Sequence, residues 1–161
     1  VLIRKLKSSD TAQVHKLVQI TYTETTQDNL EAYWDPQIIS GNAYGIFDHN
    51  NLLGFAISPF VQQSVEGPYF EVREIIIHKD HCNKGLGTQL FETLMAISDS
   101  YTEASKAALL VTKNNAAAIS LYKKFGFTVD PDQRGSLLDM NRPPFSHIIN
   151  SDNPGHAPAP E

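Results

Sequence analysis

The stretch that decides the reading of this chain is "HCNKGLGTQLFETLM", residues 81–95. Polar residues and two glycines run straight into an apolar pattern that keeps Leu86, Leu90, Phe91, Leu94 and Ile97 on one side, the period of an amphipathic helix. Gly85 and Gly87 therefore fall at the first turn of a helix. A helix N-terminus leaves backbone N–H groups without intrahelical partners and carries partial positive charge, so a glycine-rich entry there suits a phosphate or pyrophosphate. The glycines let the backbone approach an anion with no Cβ in the way. Lys84 adds positive charge, and Asn83 tolerates positive φ, so the loop can curl into an anion-holding nest. The plainer alternative is a tight turn into a helix with no ligand.

Working outward, "PYFEVREIIIH" (68–78) begins half-polar and ends in the run Ile75, Ile76, Ile77, which predicts the most buried strand of the chain. After the helix come a further apolar strand, "AALLVTK" (107–113), and then "NNAAAISLYKKFGF" (114–127). There Asn115 caps a helix, Gly126 ends it, and a strand starts over Phe127 to Val129. "SLLDMN" (136–141) reads as a last strand. Upstream, "VLIRKLK" (1–7) suits an edge strand, and Asp10 is a candidate N-cap with Gln13 three residues on. Val14, Leu17, Val18 and Tyr22 form the buried stripe of the first helix. A short second helix spans Asn29 to Tyr33 and stops before Pro36. "AYGIFDHNNLLGFAISPFV" (43–61) reads as a hairpin around "DHNN". The predicted order is β-α-α-β-β-β-α-β-α-β-β, an α/β fold with one mixed central sheet and helices on both faces.

At 161 residues and 17.9 kDa, one domain over residues 1–145 is expected, with a polar, proline-rich tail over 146–161 that is loosely held. A net charge of −5 argues against a nucleic-acid binder and suits a cationic partner better. Cys82 is the single cysteine, so no intramolecular disulfide can form, and a reducing compartment is expected. With no apolar run of membrane-spanning length and no signal-peptide pattern, the expectation is a cytoplasmic protein without membrane contact.

Two separated segments, "EIIIHKDHCNKGLGTQLF" (74–91) and "NNAAAISLYKKFGF" (114–127), resemble the signature segments of the GNAT superfamily of acetyl-CoA-dependent N-acetyltransferases. The first matches the family's pyrophosphate loop, Gln/Arg-x-x-Gly-x-Gly/Ala after a buried strand. The second matches its Asn-x-x-Ala-x-x-x-Tyr helix followed by glycine and Phe. The resemblance implies that acetyl-CoA lays its pyrophosphate on the backbone N–H groups of Cys82, Asn83, Lys84, Gly85, Leu86, Gly87 and Thr88. It also implies that the pantetheine arm pairs with Ile75, Ile76 and Ile77, that Asn115 helps hold that arm, and that Lys123 or Lys124 meets the nucleotide end. Cys82 stands where the family usually carries Gln or Arg, so one side-chain bond to the cofactor is lost. A dinucleotide-binding loop would want a third glycine where Leu90 stands, and a P-loop would want Gly-Lys-Ser/Thr.

Acetyl transfer from a thioester to an amine needs a base to take the ammonium proton, a donor for the carbonyl oxygen and an acid for the leaving thiolate. Glu71 and Glu74 are the candidate bases, because both lie on the strand expected to flank the thioester, and Glu71 ranks slightly ahead. Strict alternation puts the two on opposite faces unless the strand carries a bulge. The resemblance implies that Tyr122 is the acid, and the backbone N–H of Ile75 is the candidate oxyanion donor. His78, Asp80, His81 and Cys82 are adjacent loop residues that rarely converge on a metal, so no metal is expected. Glu24, Asp28, Glu31 and Asp35, interleaved with Tyr22, Tyr33 and Trp34, lie where the family often binds its acceptor, a small-molecule or protein amine. They read more readily as a solvated helix face. The rival reading is a CoA-binding sensor or interaction module without turnover. A homodimer is a further possibility.

Overall fold

The computed structural model describes residues 1–58, 61–62, 65, 67–100, 104, 106–130 and 137–142; the predicted tail over 146–161 lies outside them. In chain order the strands are β1 (Leu2–Lys5), β2 (Ala43–Asp48), β3 (Asn51–Ile57), β4 (Val61–Gln62), β5 (Tyr69–Val72), β6 (Glu74–Ile77), β7 (Ala107–Thr112), β8 (Thr128–Val129) and β9 (Leu137–Arg142). The α-helical segments are α1 (Thr11–Thr21), α2 (Gln27–Asn29), α3 (Asp35–Ile39), α4 (Leu86–Ser100) and α5 (Ala116–Lys124). The mixed α/β class holds, but the single central sheet does not. The strands form two sheets, ordered β1-β2-β3-β6 and β4-β5-β7-β9-β8. The chain divides into two compact units, one comprising Val1–Pro59 with Arg73–Thr93 and the other Phe60–Val72 with Leu94–Glu161.

The division falls inside a stretch that the sequence presents as one strand. "YFEV" pairs in parallel with β7 through Glu71↔Ala108, whereas "EIII" pairs antiparallel with β3 through Ile57↔Glu74 and Ala56↔Ile75. The change happens at Arg73, whose N–H reaches the carbonyl of Ile57 at 2.9 Å although Ile57 already stands opposite Glu74. Two residues facing one is a β-bulge, which bends the strand and re-aims its side chains. Alternating hydrophobicity alone carries no mark of it.

In the first unit every pairing is antiparallel. Helix α1 contributes Val14, Leu17 and Val18 to a core shared with Leu30, Trp34, Ile38, Phe55, Ile57 and Ile76. Tyr22 does not continue the stripe. It is 46% exposed and serves as the C-cap residue, its N–H bonding to the carbonyl of Val18 at 2.7 Å. The most buried strand is β3, buried from Leu52 to Ile57, rather than the isoleucine run, of which only Ile76 is fully buried. Central strands are covered on both edges, and β6 pairs within its sheet only with β3.

Two local expectations are corrected by competing partners. Asp10 stands at the N-cap position of α1 but makes no capping bond. Its carboxylate accepts two bonds from Arg4, at 2.8 and 3.0 Å, and one from the N–H of Lys7 at 2.7 Å. The Arg4 bond chiefly holds that carboxyl below the usual range. The second helix does not stop before Pro36: helical structure continues from Gln27 to Ile39. Its middle, Leu30–Trp34, is π-helical, with the N–H of Asp35 bonded to the carbonyl of Leu30. The wider turn sits just before Pro36, which enters at the first turn of α3, where a missing N–H costs little.

In the second unit β7 is central, antiparallel to β9 over six register pairs and parallel to β5. Asn115 caps α5 as predicted, accepting from the N–H of Ala118 at 3.2 Å, and Gly126 leaves the helix at φ 92°. Phe125 and Phe127 on either side of that glycine are buried.

Candidate active site

The register of β6 fixes which of its groups face outward. Leu53 accepts from the N–H of His78 at 2.8 Å, so by alternation Ile76 and Glu74 also exchange bonds with β3. The N–H groups of Ile75 and Ile77 therefore point away from β3, toward the side where β6 has no partner in its sheet. The side chains alternate in the other sense. Ile76 enters the core beneath α1, and Glu74, two residues back, meets Tyr22 at the end of α1. On the opposite face, Ile77 Cγ1 lies 3.7 Å from where a Cβ on Gly87 would sit.

Glu74 is half-buried and accepts a hydrogen bond from the Tyr22 hydroxyl at 3.2 Å on Oε1. Burial pushes its carboxyl above the ordinary range, and the bond from Tyr22 opposes that push. Desolvation and the nearby negative charge of Glu74 push the Tyr22 phenol up to about 12, so it stays a donor at neutral pH. The Tyr22 ring stacks on Trp34, with centroids 6.2 Å apart and planes 28° apart. Trp34 in turn makes edge contacts with Tyr33 at 5.0 Å and with Phe55 at 5.9 Å.

Between β6 and α4 the chain makes one 3-10 turn over Lys79–His81 and then twists through positive φ twice, at Asn83 (64°) and Gly85 (79°). The first helical bond runs from the N–H of Gln89 to the carbonyl of Gly85 at 3.0 Å, so the N–H groups of Leu86, Gly87 and Thr88 precede the ladder. A Cβ on Gly85 would meet nothing within 4 Å. With three N–H groups ahead of the helical ladder and open space beside Gly85, the loop suits an anion such as a pyrophosphate. Cys82 is exposed, its Sγ 3.5 Å from the carbonyl oxygen of His78, while Nδ1 of His78 accepts from the N–H of Asp80 at 3.1 Å. Among the described residues no group of three or more His, Cys, Asp or Glu is placed to hold a metal ion, and no helix is long and apolar enough to cross a membrane.

The sequence model of the Acetyltransferase (GNAT) family matches residues 11–127, spanning both units. The chain belongs to the GNAT acetyltransferase family. A probable spermine N(1)-acetyltransferase of Bacillus subtilis subsp. natto is 27% identical over 131 residues, 76% of this chain and 78% of that protein. Among solved structures, the PaiA N-acetyltransferase of Thermoplasma acidophilum in complex with coenzyme A superposes with a TM-score of 0.68 at 20% identity, over 88% of this chain and 98% of that one. The ribosomal-protein-S18-alanine N-acetyltransferase of Escherichia coli gives 0.69 at 21% identity, over 89% and 93%. This GNAT protein is an acetyl-CoA-dependent N-acetyltransferase.

Within the GNAT enzyme, the first unit holds Glu74, Ile75, Ile76, Ile77 and the whole loop from Cys82 to Thr88. The second holds Glu71, Asn115, Tyr122, Lys123 and Lys124. Tyr122 is half-buried on α5, its ring 6.2 Å from that of Phe127, while Lys123 and Lys124 are exposed on the helix's last turn. Asn115 accepts the cap bond on its carbonyl oxygen, and its amide nitrogen carries the side chain's two donors. Of the expected acceptor-side acids, Asp35 is paired with His15 at 2.5 Å and Glu31 accepts from Gln27 at 3.2 Å. Glu24 instead lines a concave patch with Thr21, Tyr22, Thr23, Thr25, Thr26 and Asn29. The Tyr22 to Glu74 bond escaped sequence reading. It joins residues 52 positions apart, and neither carries a local signal of the other.

Proposed function

We propose that this enzyme acetylates a cationic primary amine by direct attack within a ternary complex, with Glu74 as base and Tyr122 as acid. The observation that carries the reading is Glu74 itself: a half-buried carboxylate on a bulged edge strand, hydrogen-bonded by Tyr22 and one residue before the outward N–H of Ile75. Acetyl-CoA supplies an activated acetyl thioester. The loop from Cys82 to Thr88 binds its pyrophosphate with backbone N–H groups and the charge of Lys84. The edge of β6, through Ile75 and Ile77, aligns the pantetheine arm, and the family resemblance adds Asn115 and Lys123 as cofactor contacts.

Glu74 accepts the proton that the ammonium must lose before it can attack, directly or through water. A carboxyl held above its usual range is a stronger base at the moment of transfer. The N–H of Ile75 donates to the developing oxyanion from a fixed position, with no reorganisation during reaction. Tyr122 gives its proton to the departing thiolate. The patch beside Tyr22 carries Glu24 and lies at the C-terminal end of α1, where the helix dipole favours a cation. Kinship to a probable spermine acetyltransferase makes spermine the first acceptor to try.

The test is thiol release from acetyl-CoA with spermine, comparing the wild-type enzyme with Glu74→Gln and Tyr122→Phe. Loss of kcat in both variants, with acetyl-CoA binding by calorimetry retained, is the expected result. Tight acetyl-CoA binding with no thiol release across a panel of amines would make the protein a binding module and overturn the reading.

A further inference from the structure

Tyr22 is a residue that neither the family signatures nor the catalytic scheme requires. Its hydroxyl nevertheless lies 3.2 Å from Oε1 of Glu74, and its ring is held by stacking on Trp34, which is itself 4% exposed and braced by Tyr33 and Phe55. A buried indole is a rigid support, and stacking on it limits where the phenol ring can lie. We infer that Tyr22 is a positioning residue for Glu74, holding one carboxylate oxygen so that the other is presented to the acceptor amine.

This inference rests on Glu74 being the base. A hydrogen bond donated to a carboxylate favours its ionised form, and here it works against the burial of Glu74. Tyr22 therefore has two effects: it orients the base, and it favours the ionised carboxylate against the burial. The groups around that carboxyl come from several elements. From α1 the neighbour is Tyr22, from β3 the register partners are Ile57 and Ala56, and Tyr33 acts on Tyr22, helping to raise its phenol. Arg73, next in the chain, is exposed.

Tyr22→Phe keeps the ring and removes only the donor. Carbon-detected NMR of the glutamate carboxyls, with the Glu74 resonance assigned by its loss in Glu74→Gln, reads the bond without any acceptor. The titration midpoint of Glu74 is expected to move upward in Tyr22→Phe with no loss of thermal stability. In thiol-release assays with spermine, kcat/KM on the acid side is expected to fall about threefold while the alkaline plateau stays within about twofold, as removal of a tuning bond implies. An unchanged Glu74 midpoint in Tyr22→Phe overturns the role of Tyr22, whatever the rates. If Glu74→Gln keeps the full rate, the reading of Glu74 as base fails as well, and the role of Tyr22 falls with it. Loss of rate in Glu74→Gln with wild-type titration in Tyr22→Phe removes Tyr22 alone.

Discussion

Glu71 and Glu74 are three residues apart in one apolar-polar stretch, yet they occupy different structures. Glu71 lies in β5, paired in parallel with β7, and Glu74 in β6, paired antiparallel with β3. The bulge at Arg73 separates them. Glu74 joins the unit that carries the glycine loop, accepts a bond from the Tyr22 phenol and has its carboxyl raised by burial, whereas Glu71 belongs to the other unit. A single extra residue can thus move a side chain to another sheet, which offset along the sequence does not reveal.

The largest expected effect is the contrast between the two carboxylates. Glu74→Gln should lower kcat by about 10²–10⁴-fold, the range for loss of a general base, and Glu71→Gln by no more than about threefold. Equal losses in steady-state assays would erase the distinction drawn between β5 and β6.

Next comes the seam that pins β6 to β3. A Cβ on Gly54 would lie 2.6 Å from Ile77 Cδ1 and 2.7 Å from the carbonyl oxygen of Ile76, which is backbone and cannot swing aside. Gly54→Ala should cost about 1–3 kcal/mol in urea unfolding. A neutral result would show that β6 has freedom to shift.

The glycines of the loop sharpen the point on a smaller scale. Gly85→Ala places a side chain at φ 79° and should lower stability by about 1 kcal/mol while weakening acetyl-CoA binding. Gly87→Ala meets only ordinary contact, 3.7 Å from Ile77 Cγ1, and should gain up to about 1 kcal/mol of helix stability. Calorimetry then separates the roles, since loss of acetyl-CoA binding in a stabilised Gly87→Ala would mark a position kept open for the ligand.

The smallest effect is the pH dependence of folding. A carboxyl raised on folding contributes stability that is fully present below its unfolded pKa and lost as pH rises through the folded value. Glu74→Gln should therefore be as stable as the wild type or more so at neutral pH, with that advantage vanishing as the wild-type carboxyl protonates in acid. Asp10 runs in the opposite sense, because its carboxyl is lowered by Arg4. Its contribution is present above the unfolded pKa and disappears as pH falls through the folded one. Chemical melts from pH 3 to 8 on Glu74→Gln and Asp10→Asn should diverge in these directions.

Much of the fold was legible because it is written locally. The amphipathic stripe of α4, the Asn115 cap and Gly126 stop of α5, and the hairpin of β2 and β3 depend on residues within a turn or two of each other. The errors cluster where a competing partner or a change of helix type outbid a local preference. Arg4 took Asp10 from its cap, Glu74 drew Tyr22 off the helix stripe, and a π-helical segment carried the second helix through Pro36. The candidate site divides in the same way. The turn from Cys82 to Thr88 into α4 was readable from its glycines and Glu74 from its place beside the isoleucine run, whereas the bond from Tyr22 to Glu74 was not.

By itself, the sequence determined the α/β class, the GNAT kinship and the glycine loop at the start of α4. These follow from hydrophobic period, capping chemistry and the few residues that accept positive φ, all properties of neighbours along the chain. Tertiary structure alone decided that the apolar run breaks at Arg73, that its halves enter different sheets, and that Glu74 meets Tyr22. The physical reason is that hydrogen-bond pairing and desolvation act between residues tens of positions apart, and no local pattern encodes which pair will meet.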